Sequence, residues 1–128
     1  TTLYDHYGEI VVIDYFTEWC PYCRQSAEKV DYYIDEDLTM LSVMVQNQWG
    51  NTPRVEDVER WASAYELDPV TVLAAGDYIK DPSGQWGPDL QAYPSFIIVD
   101  RDMIVREKVM GWSLDLMQDL LDDIKSEE

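Results

Sequence analysis

A run of β-branched and aromatic residues at positions 10–16 ends shortly before two cysteines, Cys20 and Cys23. A run of this composition predicts a buried central strand. From residue 21 to about residue 34, the apolar positions return with the spacing of one helix face; they are Cys23, Ala27, Val30 and Ile34. The sequence therefore predicts a strand that leads directly into a helix, with the cysteine pair at the junction.

The rest of the chain also alternates between strand-like and helix-like segments. Further strands are predicted at residues 39–45, 70–74, 95–100 and 104–110, the last two as an antiparallel hairpin. Residues 76–93 are rich in Gly, Pro and Asp and have no steady period. This composition predicts an irregular loop with about one helical turn.

Two more helices are predicted from capping signals and apolar spacing. One covers residues 53–65, where Thr52 offers a capping hydroxyl and Pro53 suits the first helical position. The other follows the cap Ser113 and carries the apolar stripe Leu114, Met117, Leu120, Leu121 and Ile124. The order βαβαβ followed by ββα predicts an α/β fold with a mixed central sheet and helices on both faces. Because the 128 residues contain no repeat or linker, residues 1–128 are expected to form a single domain.

The charge and hydropathy of the chain limit its partners. The net charge is −17, from 26 acidic and 9 basic residues, and it would repel nucleic acid and anionic membranes. A solvated acidic surface explains this charge, with a patch for a basic partner as the alternative. No apolar stretch approaches the ~20 residues that span a bilayer, so we expect no membrane insertion by this segment. Because the chain opens on Thr1 instead of Met, we expect a mature or excised form without its targeting segment.

The two cysteines are too few for a structural disulfide framework, which closes long loops with several bridges. A structural zinc site needs four ligands, and the chain's one imidazole is that of His6, which we expect to be a surface residue. We therefore expect neither a metal nor a cofactor. Thiol chemistry remains, with two unreactive buried cysteines as the alternative.

The junction gives the two thiols different surroundings. Cys20 falls at the helix cap, where the backbone N–H groups of Tyr22 and Cys23 and the helix dipole favour an accessible thiolate. Cys23 lies nearly one turn along and faces the packed side of the helix, where burial raises the pKa of a thiol. Thiol–disulfide exchange requires this inequality. We predict that Cys20 attacks a partner disulfide and that Cys23 resolves the mixed disulfide.

Residues 11–23, V-V-I-D-Y-F-T-E-W-C-P-Y-C, resemble the central strand and active-site turn of the thioredoxin superfamily, most closely those of extracytoplasmic TlpA/ResA-like redoxins. Residues 93–100, Y-P-S-F-I-I-V-D, resemble the family's cis-proline strand, and residues 109–111 resemble its closing strand. The chain departs from TlpA/ResA-like domains because Pro21 stands first and Tyr22 second between the cysteines, as in glutaredoxins. The resemblance implies a thioredoxin fold and thiol–disulfide oxidoreductase activity.

The resemblance also implies roles for individual residues. Pro94 would follow a cis peptide bond beside the cysteines, and the Tyr93 backbone would pair with the substrate chain. The alternative is an ordinary edge-strand proline. Asp14 would be a buried acid that relays a proton to or from Cys23, unless it turns to solvent. Residues 41–45 contain no lysine to pair with this aspartate, unlike many thioredoxins.

The remaining residues near the motifs are assigned to the surface around the site. Trp19, Pro21 and Tyr22 would contact the substrate together with Tyr93 and Pro94. Glu18 is expected to be an exposed loop carboxylate. Trp86 would form either part of a rim over the site or a packed core aromatic.

These features predict an enzyme that reduces disulfides in cysteine-containing proteins and receives electrons from an upstream thiol–disulfide donor. By resemblance it would work outside the cytoplasm, in the periplasm or cell envelope. One alternative is a disulfide-donating oxidase of the same fold. Another is a peroxiredoxin-like peroxidase, because Thr17 stands three residues before Cys20. A third is a non-catalytic copper-binding or partner-binding module.

Overall fold

Five strands form one mixed sheet in the computed structural model of the chain, which describes residues 3–67, 70–85 and 87–127. The strands are β1 (Ile10–Thr17), β2 (Leu38–Gln46), β3 (Thr71–Ala74), β4 (Ser95–Val99) and β5 (Val105–Met110), arranged in the order β3-β2-β1-β4-β5. Parallel pairs join β1 to β2 and β2 to β3, whereas β4 runs antiparallel to β1 and β5. The predicted strands and the terminal hairpin are confirmed, with each end within one residue.

The helix that follows the cysteines is interrupted. The first part, α1 (Pro21–Glu28), is followed by its C-cap Lys29, whose φ of −108° and ψ of 9° leave the helical region. The second part, α2 (Val30–Tyr33), begins at the next residue. The prediction of one continuous helix over residues 21–34 was therefore wrong. In α2, Tyr33 is buried in the core, and its hydroxyl lies within hydrogen-bond distance of the Ser26 hydroxyl, at 3.2 Å.

Two longer helices complete the fold, α3 (Val55–Ala64) and α4 (Leu114–Ser126). The hydroxyl of Ser113 accepts the N–H of Leu116 at 3.3 Å, which confirms the predicted cap of α4. Between β3 and β4, the predicted irregular segment contains a 3-10 turn at Asp77–Ile79. Trp86, in the same segment, lies outside the described residues.

The four α-helices bury their side chains in one core, on one face of the sheet. From β1 and the helices, this core includes Ile10, Val12, Phe16, Cys23, Ala27, Val30, Trp61, Met117 and Leu121. A smaller cluster on the other face contains the strand residues Val11, Leu41 and Val99. The connections from β1 to β2 and from β2 to β3 both step toward the same edge of the sheet. Because such crossovers are right-handed, α1, α2 and α3, which lie in these connections, pack on the same face of the sheet. Flanking helices are confirmed, but among the described residues they cover one face and not both.

The start of α3 differs from its prediction. The helix begins at Val55, and the carboxylate of Asp57 accepts the Arg54 backbone N–H at 2.9 Å. The same carboxylate accepts the side-chain amide of Asn47 at 3.2 Å. The predicted cap Thr52 lies outside the helix. Asp57, the third residue of α3, accepts the backbone N–H of the cap residue Arg54 in place of an N-terminal hydroxyl.

These contacts predict that Asp57, and not Thr52, determines the stability of this helix start. We expect Asp57→Ala to lower the free energy of unfolding by about 2 kcal/mol, because a cap and a buried bond are lost together. The matched change Thr52→Ala should cost less than about 0.5 kcal/mol. Urea denaturation of both variants measures the difference. Equal costs would argue that α3 begins at the earlier residue.

Candidate functional site

The two cysteines lie where β1 passes into α1. Cys20 is the N-cap of the helix, with extended backbone angles (φ −77°, ψ 120°), and its sulfur accepts the Cys23 backbone N–H at 3.3 Å. Both thiols are free. The Cys20 Sγ also donates to the carbonyl oxygen of Tyr93 at 3.5 Å. The strand-to-helix junction thus gives Cys20 one of its two predicted donors, the N–H of Cys23.

Both cysteines are buried, with Cys20 3% and Cys23 2% exposed. The expectation of an accessible Cys20 is corrected, because the Tyr93 carbonyl on the neighbouring loop lies against its sulfur. Burial raises the pKa of the Cys23 thiol, and the hydrogen bond with Cys20 and the negative charge of Asp14 raise it further. A hydrogen bond from the Thr17 backbone opposes these effects. Cys23 is therefore held as a thiol, as the sequence predicted.

Asp14 lies on β1 and is 7% exposed, so the solvent-facing alternative does not hold. Its Oδ2 accepts the Ser42 hydroxyl at 3.4 Å, whereas its Oδ1 has no hydrogen-bond partner among the described residues. Burial raises the pKa of Asp14 to about 7, and the Ser42 hydrogen bond only partly opposes this shift. The fold therefore places a carboxyl that titrates near neutrality within electrostatic reach of Cys23.

The residues predicted to meet a substrate surround Cys20. The Tyr93–Pro94 peptide bond is cis, and Pro94 is buried. Trp19 and Tyr22 remain 43% and 60% exposed, and Pro21 is exposed between the cysteines. The Trp19 ring meets the Tyr93 ring edge-on, with centroids 6.3 Å apart. Exposed aromatic and proline side chains thus flank the buried Cys20 sulfur.

Glu18 is buried, contrary to the expectation of an exposed loop carboxylate. Its carboxylate accepts both the Nε and the Nη2 of Arg60 at 2.9 and 2.8 Å and the Gln48 backbone N–H at 3.1 Å. The Arg24 guanidinium donates to the Glu18 carbonyl from α1. Arg60 lies on α3, 42 residues further along the chain. The sequence contains no short-range signal for this pair, so sequence reasoning missed Arg60 and Arg24.

The described residues contain no group of three or more His, Cys, Asp or Glu side chains that could hold a metal ion. His6 is partly buried at the far end of β1 from the cysteines, with its Nδ1 3.1 Å from the Glu9 carboxylate. In the described part of the chain, no helix is long and apolar enough to cross a membrane.

No protein-family model matches the sequence, and neither does any curated protein. The fold, however, is similar to those of solved structures. One is a secreted Mycobacterium tuberculosis disulfide oxidoreductase homologous to E. coli DsbE, with a TM-score of 0.67 and 19% identity over 94% of this chain and 85% of that chain. Another is a thiol-disulfide isomerase from Corynebacterium glutamicum, with a TM-score of 0.69 and 21% identity over 100% and 88%. A third is an exposed lipoprotein thioredoxin from Streptococcus pneumoniae, with a TM-score of 0.65 and 18% identity over 94% of this chain and 89% of that chain. The chain has the thioredoxin fold.

The raised pKa of Asp14 makes a prediction about stability. The folded protein keeps this proton up to about pH 7, whereas the unfolded chain releases it near the ordinary value of 3.8. Between these values the folded state binds more protons, so rising pH lowers the free energy of unfolding, and the full cost is present above about pH 7. We expect Asp14→Asn to raise the free energy of unfolding at about pH 8 by on the order of 2 kcal/mol.

Urea denaturation from about pH 4 to about pH 8 tests this expectation, because the benefit of Asp14→Asn should disappear at the acid end. Asp37→Asn is a matched control, since Asp37 is exposed on the loop before β2. The same pH dependence in the wild type and Asp14→Asn would show that the Asp14 carboxylate is solvated in the folded protein.

Proposed function

We propose that the chain is a single-domain thiol–disulfide oxidoreductase that exchanges disulfides with cysteine-containing proteins through Cys20 and Cys23. The observation that carries the proposal is the position of the Cys20 sulfur, which receives a helix N-terminal N–H at 3.3 Å and lies 3.5 Å from the Tyr93 carbonyl. The first contact stabilises a thiolate. The second places the Cys20 sulfur beside backbone to which a substrate strand can pair. Solved structures of this fold that carry the names disulfide oxidoreductase and isomerase support the same chemistry.

In the proposed reaction the Cys20 thiolate attacks one sulfur of a substrate disulfide. The substrate S–S bond breaks, the other substrate sulfur leaves as a thiolate and takes a proton, and a mixed disulfide with Cys20 remains. Cys23 then attacks the Cys20 sulfur and releases the second substrate thiolate. Two electrons have moved to the substrate, and the protein is left with a Cys20–Cys23 disulfide. An upstream dithiol donor must reduce this disulfide before the next cycle.

Asp14 supplies the proton transfer in the second step. Because burial raises the pKa of Cys23, its thiol needs a base before it can attack. Burial raises the pKa of the Asp14 carboxyl to about 7, so part of it is ionised near neutral pH and can accept that proton. The Ser42 hydroxyl donates a hydrogen bond to Asp14 and keeps the pKa of the carboxyl from rising further. We assign Asp14 as the general base for Cys23 during reduction and as the acid in the reverse direction.

Substrate recognition is assigned to the surface around Cys20. An extended substrate segment would pair with the Tyr93 backbone, next to Pro94, and its sulfur would then reach Cys20. Trp19, Pro21 and Tyr22 would contact the side chains on either side of that sulfur. Their exposure supports this assignment, because aromatic side chains bind partners without losing much conformational freedom.

We favour a reductant that works outside the cytoplasm. Similarity in fold to a secreted oxidoreductase and to an exposed lipoprotein thioredoxin supports this location. A disulfide donor is one alternative, because a strongly stabilised thiolate makes the couple more oxidising. The peroxidase alternative would use Thr17, but this hydroxyl is buried and makes no hydrogen bond to the Cys20 sulfur.

The roles of the cysteines can be separated by serine substitution. We expect Cys23→Ser to accumulate a mixed disulfide between Cys20 and a disulfide-containing protein, because the resolving thiol is missing. Cys20→Ser should reduce such a protein no faster than the uncatalysed reaction. Mass spectrometry under non-reducing conditions identifies the adduct. A trapped adduct in Cys20→Ser would exchange the two roles, and rapid peroxide consumption by the wild type would favour the peroxidase.

The direction of electron flow follows from the reduction potential. One backbone donor is seen on the Cys20 sulfur, so we expect moderate stabilisation of the thiolate and a potential between about −270 and −180 mV. Equilibration with glutathione buffers, followed by alkylation and mass measurement, gives this value. A potential near about −120 mV would identify a disulfide donor instead of a reductant.

A further inference from the structure

Five side chains from four separate segments form a closed ring beside Cys20. The indole N–H of Trp19 donates to Gln46 Oε1 at 2.8 Å, and the Gln46 amide donates to the Asp77 carboxylate at 2.9 and 3.2 Å. Lys80 Nζ lies 3.1 Å from the same carboxylate and 5.8 Å from the centroid of the Tyr93 ring. The Tyr93 ring returns to Trp19 through their edge-on contact. This polar ring therefore joins Trp19 and Tyr93, two of the residues around the Cys20 sulfur.

Gln46 is the one member of the polar ring whose side chain both accepts and donates a hydrogen bond within it. Its carbonyl oxygen takes the indole N–H, which has no acceptor capacity, and its NH₂ faces a carboxylate, which has no donor when ionised. The hydrogen bond from Gln46 and the charge of Lys80 lower the pKa of Asp77, so the carboxylate stays ionised. A carboxamide satisfies both neighbours, whereas a carboxylate at position 46 would face Asp77 with like charge.

The polar ring also connects the irregular segment between β3 and β4 to the turn at residues 18–20, which joins β1 to α1. Asp77 and Lys80 belong to the 3-10 turn after β3 and its cap, whereas Gln46 ends β2 and pairs in register with Thr17. The Gln46 backbone carbonyl accepts the N–H of Glu18 at 2.9 Å, next to Trp19. The side chains of Asp77 and Lys80 keep 57% and 33% of their surface exposed. Polar side chains at the surface contribute little to global stability, so their effect should be local.

We propose that Gln46, Asp77 and Lys80 are positioning residues that hold Trp19 and Tyr93 in the arrangement that an extended protein substrate needs beside Cys20. The inference rests on the proposed function, because it assigns a substrate class to the same site: disulfides within extended protein segments. Such a segment meets the Tyr93 backbone and the Trp19 ring at once, so a displacement of either residue weakens its binding. A small disulfide needs little beyond the Cys20 sulfur.

An isosteric exchange of amide and carboxylate tests the polar ring. Gln46→Glu places two carboxylates against each other, and Asp77→Asn added to it restores one amide and one carboxylate with the hydrogen bond reversed. We expect Gln46→Glu to raise KM for a synthetic peptide with one intramolecular disulfide by about threefold to tenfold, the effect of one or two lost hydrogen bonds. The change in kcat should be smaller than the change in KM. The double variant should return KM to within about twofold of the wild type.

Gln25→Glu is the matched control, because Gln25 is exposed on α1 and its substitution adds the same charge. The indole N–H resonance of Trp19, assigned by its loss in Trp19→Phe, reports on the polar ring without any substrate. It should move in Gln46→Glu and return in the double variant. Equal KM values for Gln46→Glu and Gln25→Glu, or no recovery in the double variant, would overturn the inference. A wild-type protein that fails to reduce both this peptide and oxidised glutathione would overturn the proposed function as well.

Discussion

The geometry of the cysteine pair depends on the buried carboxylate of Glu18. Three residues connect the end of β1 to the start of α1, so their conformation sets the direction of the helix relative to the Cys20 sulfur. Arg60 holds this carboxylate from α3, and Arg24 holds the carbonyl of the same residue from α1. Loss of Arg60 would leave a buried charge without its partner, which costs more than the pair contributes. A helix from the middle of the chain thus contacts the turn that carries Cys20.

The central position of β1 explains the other half of the site. Asp14 is paired in register with Ser42 of β2 on one side and with Phe96 of β4 on the other. The side chain of Asp14 lies on the same face of the sheet as Val12 and Phe16, where the helices pack and exclude water. One weak hydroxyl contact at 3.4 Å does not replace the lost solvation. The raised pKa of Asp14 therefore results from its place in the sheet, and no charged neighbour is needed to raise it. The same strand ends at the turn that leads to the cysteines, so β1 positions both the Asp14 carboxyl and the two thiols.

Features with local signals could be predicted from the sequence. The strand before the cysteines, the cap position of Cys20 and the Ser113 cap each depend on residues that are neighbours in the chain. Features that depend on distant partners could not. The burial of Glu18 requires Arg60, and the cover over the Cys20 sulfur requires a carbonyl 73 residues away. The break after α1 was missed because apolar spacing continues across it. The shared helix face was missed because the sequence does not show the strand order, which decides the direction of each right-handed crossover.

The unequal acidity around the cysteines has a kinetic consequence. On the proposed mechanism, the lifetime of the mixed disulfide is set by how often the buried Cys23 thiol loses its proton, since only the thiolate attacks. During that lifetime any free thiol in the bound substrate competes for the same bond. Fast loss of the proton commits the encounter to net reduction, whereas slow loss allows the substrate to rearrange its own disulfides and to leave with no change in oxidation state. The acidity of one buried carboxyl would then partition the encounters between reduction and isomerisation.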